Sequence, residues 1–233
     1  MGLLADGLAK VQTDTGREVR VGIEPEPGCV VERMTQALTE MADLDHERIG
    51  LCLDTCHLAT GFEDGAEALA VLSEAGIPVV KTQVSAALHA QDPTDPTTRA
   101  ALAHYTEDRF LHQVRQPVGE QVIGRDDLPE ALGEQGLDGS GPWRVHFHVP
   151  VHADPDPPLV STRGHLVETM TALLGGPSAG TDHLEVETYT WGVLPVELRP
   201  KDDQGLIDGI AAEVQWTADL LVQLGLEPIG AVA

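Results

Sequence analysis

Asp54 and His57 close an apolar run in the stretch LCLDTCHLA, residues 51–59. A carboxylate and an imidazole three residues apart are the right types to hold a divalent metal ion or to move a proton. Groups of the same kinds recur near the ends of four other apolar runs. Glu24-Pro25-Glu26 ends VRVGIEP (19–25), and Lys81 and Gln83 lie in PVVKTQVS (78–85). His146 and His148 lie in RVHFHVPV (144–151), and Glu185-Val186-Glu187 in HLEVETY (183–189). Residues two apart on a strand share a face, so Lys81 with Gln83, His146 with His148, and Glu185 with Glu187 can each point together. Carboxylate, imidazole and amide oxygen around one cavity suit Mn²⁺, Co²⁺, Zn²⁺ or Mg²⁺.

Each signal has a plainer reading. An EPEP stretch is as well a solvated turn, and a single DxxH at a strand end is as often a helix cap. One imidazole of HFH can simply bond backbone. Glu185 and Glu187 cannot both be buried without a cation, so one of them is expected to face solvent. Lys81 is either a snorkelling chain or a site group. Agreement among five strands lifts the functional reading above these.

The elements that must position these groups follow from periodicity. The five runs, with IGLCLDT (49–55) as the second, are short and rich in valine, isoleucine and leucine, as strands are. Helical spacing lies between them: Leu3, Leu4, Leu8 and Val11; Val30, Val31, Met34, Leu38 and Met41; Ala66, Leu69, Ala70 and Leu72, ended by Gly76; Leu166, Met170, Leu173 and Leu174. A last amphipathic stretch runs from Leu206 to about Leu224. Strands alternating with helices imply a parallel sheet, whose carboxyl ends share one edge where α/β proteins place ligands. Residues 91–141, with only short helical patterns, read as an elaborated loop in a single domain spanning 1–233.

Composition narrows the partners. The chain has 233 residues and a formal net charge of -24, and its lysines are Lys10, Lys81 and Lys201. Such a surface repels phosphate backbones and anionic lipid, which argues against nucleic acid and membranes. No apolar run approaches the ~20 residues of a spanning helix, and the N-terminus does not read as a signal peptide. Cys29, Cys52 and Cys56 are too few and too odd in number for a disulfide framework, and they read as small buried hydrophobes. A cytoplasmic location is expected.

The stretches IEPEPGC, LDTCHLA, KTQVSAAL, FLHQV, RVHFHVPV and LEVETYTWGVLP together resemble the metabolite traffic protein EboE family, within the sugar isomerase/epimerase group of xylose-isomerase-like TIM barrels. The resemblance implies an eight-stranded barrel. The five strands match its last five, so a partial barrel lacking the first three is expected. Such a sheet would leave two edges and an apolar inner face open, with self-association as the consequence. The resemblance also implies a metal site of Glu24, Asp54 and Glu187, with His57 against substrate and metal. Gln83 stands where a ligand histidine would be, a departure that His146 and His148 would compensate. It implies a small-molecule substrate such as a sugar or sugar phosphate, a divalent metal and no organic cofactor. Glu24 and Glu187 would act as base and acid, and Lys81 would stabilise negative charge on the substrate oxygen. The alternatives are a non-catalytic metabolite binder and a zinc-dependent phosphodiesterase or nuclease.

Overall fold

A computed structural model describes residues 2–227 and residue 229. The apolar runs at 19–25, 49–55, 78–85 and 183–189 form strands β1 (Val21–Ile23), β2 (Ile49–Asp54), β3 (Val79–Val84) and, last in the chain, β9 (Leu184–Val186). They pair in parallel in the order β1-β2-β3-β9. Helices α1 (Gly2–Thr15), α2 (Met34–Met41), α3 (Thr55–Thr60), α4 (Gly65–Glu74) and α7 (Arg163–Leu174) accompany them, and α8 (Asp203–Gln223) follows β9. None of the described helices is long and apolar enough to cross a membrane.

One face of this sheet builds the core. Ile23, Leu51, Leu53, Val84 and Val186 pack with Met34, Ala37 and Met41 of α2, Leu72 of α4, and Leu166 and Met170 of α7. The opposite face carries Glu24, Cys52, Asp54, Lys81, Gln83, Glu185 and Glu187. The expected apolar inner face is therefore corrected: apart from Cys52, and Val80 beside Gly50, the residues in phase with Asp54 are polar or glycine. A β-bulge makes the phase agree. Leu51 pairs with Val79, but Cys52 pairs with Lys81 and Asp54 with Gln83. Val80 is the extra residue. Without it, Lys81 and Gln83 would point into the helix-packed core.

The expectation of five parallel strands is also corrected. Of RVHFHVPV only its start belongs to a strand, β7 (Trp143–Val145), and that strand is antiparallel. The chain leaves β3, continues into β4 (Leu88–Ala90), and β7 returns alongside it. Together with β5 (Val114–Val118), β6 (Gln121–Arg125) and β8 (Val160–Ser161) they form a second, antiparallel sheet in the order β6-β5-β7-β4-β8. Residues 91–141 hold two short helices, α5 (Pro96–Ala103) and α6 (Leu128–Leu132), and between them the β5–β6 hairpin, which periodicity did not indicate. Trp143 anchors this sheet, fully buried, with its indole donating to Gln116 Oε1 at 2.7 Å. Past β7 the backbone of His146 donates to Gln113 O at 2.8 Å and that of Val149 to Ala86 O at 2.9 Å. This lays the histidines over the carboxyl end of the parallel sheet.

Two smaller expectations change. Helix α2 starts only at Met34, leaving Val30 exposed ahead of it. Cys52 and Cys56 are buried, but Cys29 is exposed.

Candidate metal centre

The turn from β2 into α3 sets Asp54. Its Oδ1 caps α3 by accepting from the His57 backbone N–H at 2.9 Å, and it also accepts from Ser85 Oγ at 2.8 Å. Two bonds on one oxygen fix the carboxylate. They leave Oδ2 buried and without a hydrogen-bond partner. Cap and candidate ligand are thus the same side chain, one oxygen for each task.

The three imidazoles are oriented by the same logic. A carbonyl oxygen can only accept, so the ring nitrogen facing it must carry the proton. His57 Nδ1 donates to Pro25 O at 3.0 Å, His148 Nδ1 to Glu187 O at 2.9 Å, and His146 Nδ1 to the side-chain Oε1 of Gln113 at 2.7 Å. Each Nε2 then holds a lone pair. Those of His146 and His148 are buried without a partner. A histidine whose second nitrogen is tied to a carbonyl is oriented as metal-ligating histidines are. The rings of His57 and His146 meet edge to face, centroids 4.6 Å apart, and those of His146 and His148 lie 5.4 Å apart.

Ligand atoms gather into overlapping sets, each with its atoms within 4.8 Å of one another. Glu24, Asp54 and Glu187 make an oxygen set; Asp54, His57 and His148 a mixed one; Glu26, His57 and His146 a third; Cys56, His146 and His148 a fourth. Glu187 Oε2 and Gln83 Oε1 are also buried without partners. Leaving one such group bare costs roughly 1–3 kcal/mol. Lone-pair atoms so grouped repel one another unless a proton or a cation lies between them, and a divalent cation held by one of these sets satisfies that set's members, so the residues fit a metal.

Electrostatics agrees. Burial, followed by the nearby Asp54 charge, pushes the Glu24 carboxyl up to about 7. Burial likewise raises Glu187 to about 7 against the opposing pull of His148, with Asp54 and Glu24 adding to the rise. Burial, and then neighbouring imidazoles, hold His146 well below its ordinary value, and burial lowers His148. Neutral imidazoles are the form that binds metal. Burial holds the Cys56 thiol well above its ordinary value, so it stays protonated.

The structure brings Glu24, Asp54, His57, Gln83, His146, His148 and Glu187 to one place. Lys81 is on the same face but below it, paired in register with Cys52 and ion-paired to Glu185. Its ammonium is already neutralised and does not line the cleft. Glu185, the more exposed of the two strand-end glutamates, is the one that faces solvent. Sequence reasoning missed Glu26, written off with the EPEP turn, and Gln113, within FLHQV. The cleft over the site has a volume of about 540 Å³ and is lined by Glu24, Glu26, His57, Phe110, Gln113, His146, Glu187 and Tyr189 among others.

Comparison with known proteins agrees with this architecture. No curated protein and no solved structure matches the chain at a significant level. Residues 2–173 match the xylose isomerase-like TIM barrel family; β9 and Glu187 lie beyond the matched segment. With a parallel sheet, flanking helices and a polar cluster at the strand ends, over a match that covers most of its length, this chain belongs to the xylose isomerase-like TIM barrel family.

Proposed function

We propose that the protein is a divalent-metal-dependent isomerase or epimerase-like protein of the EboE type, acting on a small hydroxy-carbonyl metabolite such as a sugar or sugar phosphate. One observation carries the reading: Asp54 Oδ2, His148 Nε2 and Glu187 Oε2 are buried and unpartnered, and Asp54 shares one ligand set with Glu24 and Glu187 and another with His57 and His148. Glu24, Asp54, Glu187 and His148 would hold the ion, with Gln83 in support. When bound, a divalent ion polarises a substrate carbonyl and lowers the energy of negative charge developing on it.

The chain's own residues supply the proton chemistry. Glu24 and Glu187 share a ligand set with Asp54, and a carboxylate beside the ion can take a proton from the substrate and give one back. In the proposed reaction one of them takes the proton from the carbon next to the carbonyl, and the other returns a proton. His57, held by Pro25 O, keeps an Nε2 lone pair for a substrate hydroxyl. Phe110 and Tyr189, with ring centroids 4.9 Å apart, form an apolar wall that limits water around the reacting carbon.

Metal analysis of purified protein, followed by incubation with ketoses in D₂O, tests this. A stoichiometric divalent metal and solvent deuterium on a substrate carbon are expected. Bound metal without deuterium incorporation would instead favour a metabolite binder. A second reading, a zinc-dependent phosphodiesterase, is favoured by the nitrogen-richer set of Glu26, His57 and His146. Hydrolysis of bis(p-nitrophenyl) phosphate by the zinc-loaded protein separates it from the first.

A further inference from the structure

One of the four ligand sets holds no carboxylate. Cys56, His146 and His148 bring one sulfur and two imidazole nitrogens within 4.8 Å of one another. All three residues are buried, at 0, 3 and 0% exposure. Their settings leave donor atoms free. Cys56 lies in the first turn of α3, where its backbone N–H donates to Ser85 Oγ at 2.9 Å. His146 and His148 spend Nδ1 on Gln113 Oε1 and Glu187 O, so each Nε2 is left bare. Thr60 neighbours Cys56 one turn further along α3, and its buried hydroxyl also lacks a partner. A hydroxyl there can donate to a thiolate sulfur.

Softness decides what such a set takes. Two imidazoles and one thiolate are the donors of trigonal copper sites, whereas magnesium and manganese prefer oxygen. Charge points the same way. Cu⁺ on a thiolate and two neutral imidazoles carries no net charge, which suits a fully buried place. Donors on one ion lie roughly 3.5–4 Å apart, so small side-chain rotations close the set. His146 lines the cleft, which gives an ion a way in.

We propose that Cys56, His146 and His148 form a cuprous-ion site that competes with the divalent ion of the cleft. Binding replaces the Sγ–H bond by Sγ–Cu, and the proton passes to solvent; no electron is transferred. His148 has one free nitrogen, which serves one ion at a time. Bound copper therefore takes it from the divalent ion. That consequence rests on the divalent site proposed above; the copper site itself does not.

Anaerobic titration with Cu⁺, kept reduced by ascorbate and competed with the chromogenic chelator bicinchoninate, tests the site. Cys56→Ser should weaken Cu⁺ binding about tenfold or more, and it should remove a near-ultraviolet thiolate-to-copper absorption. Cys29→Ser and Cys52→Ser should bind as wild type does. His146→Gln keeps the sulfur and should also weaken binding, which covers the case in which Cys56→Ser does not fold. Wild-type Cu⁺ affinity in Cys56→Ser and His146→Gln, both folded by circular dichroism, overturns the proposal. So does a loss confined to Cys29→Ser or Cys52→Ser. Mn²⁺ titration then reads the competition. Copper-loaded protein should bind Mn²⁺ about tenfold or more weakly than copper-free protein, and Cys56→Ser should abolish that difference. Undiminished Mn²⁺ affinity overturns the competition, whereas failure to bind Mn²⁺ without copper counts against the divalent site alone.

Discussion

Asp54 shows how one residue serves both the fold and the site. Its Oδ1 caps α3 while Oδ2 stays bare. Asparagine keeps the cap, as it is among the best N-cap residues, but removes the charge. In Asp54→Asn the metal-free protein should melt higher than wild type, because the Asp54 charge is one of the causes raising Glu24 and Glu187. The rise in melting temperature on adding Mn²⁺ or Zn²⁺ should disappear. Differential scanning fluorimetry with chelator and with metal reads both effects, and a lowered metal-free melting temperature would count against the site. Gln113 acts one step away, orienting His146. Gln113→Leu should leave metal affinity nearly unchanged if Glu24, Asp54, Glu187 and His148 hold the ion, whereas a loss of about 10–100-fold would favour the set of Glu26, His57 and His146; competition with a chromogenic chelator measures it. The pH dependence follows from the same carboxyls. A carboxyl raised from 4.5 to about 7 by folding binds more protons folded than unfolded across that window. Metal-free stability should therefore fall as pH rises from 4.5 through about 7. Metal should reverse the trend, since its binding displaces those protons. Urea unfolding at pH 5 and pH 8, with chelator and with metal, tests the sign.

Among the elements, the β2–β3 pair matters most. The bulge at Val80 turns Lys81 and Gln83 onto the face of Asp54. Gly50 permits it. A Cβ there would come 2.7 Å from Val80 Cγ2 and collide with the Pro78 carbonyl oxygen. Gly50→Ala should cost about 1–3 kcal/mol of stability, and it should lower metal affinity as well, because relief of the clash means moving the bulge. Chemical denaturation and metal titration together distinguish this from simple loss of stability. Strand identity was readable from the apolar runs, and four of the five runs form the parallel sheet. The direction of RVHFHVPV was not readable. An alternating apolar run looks the same whether its partners run parallel or antiparallel, and here they are β4, a three-residue strand with little signal of its own, and β5, both antiparallel to it.

Over the whole molecule, apolar surface and charge pull in opposite directions. Ile207, Ile210 and Val214 form a stripe on α8 at three- and four-residue spacing, each more than two-fifths exposed, and Leu3 and Val11 of α1 are exposed too. These helices adjoin β9 and β1 in the chain, the two strands at the ends of the parallel sheet. Self-association through these faces is expected, opposed by the net charge of -24. Raising salt screens that charge and should strengthen association. Sedimentation velocity over a range of concentration and salt checks this, with Ile210→Glu shifting the protein toward monomer. A concentration-independent monomer in high salt would overturn it.

The order of residues along the chain by itself determined that the fold is α/β with a parallel sheet, that Glu24, Asp54 and Glu187 stand at strand ends with His57 just after one of them, and that the surface is acidic. All of these follow from local periodicity and composition. Tertiary structure alone decided which face Lys81 and Gln83 take, because one bulged residue inverts the phase. It alone decided that Lys81 is spent on Glu185 while Glu26 and Gln113 join the site. It also decided that the His146–His148 segment reaches the carboxyl edge from the second sheet. Those outcomes rest on contacts between residues far apart in the chain, which no local pattern encodes.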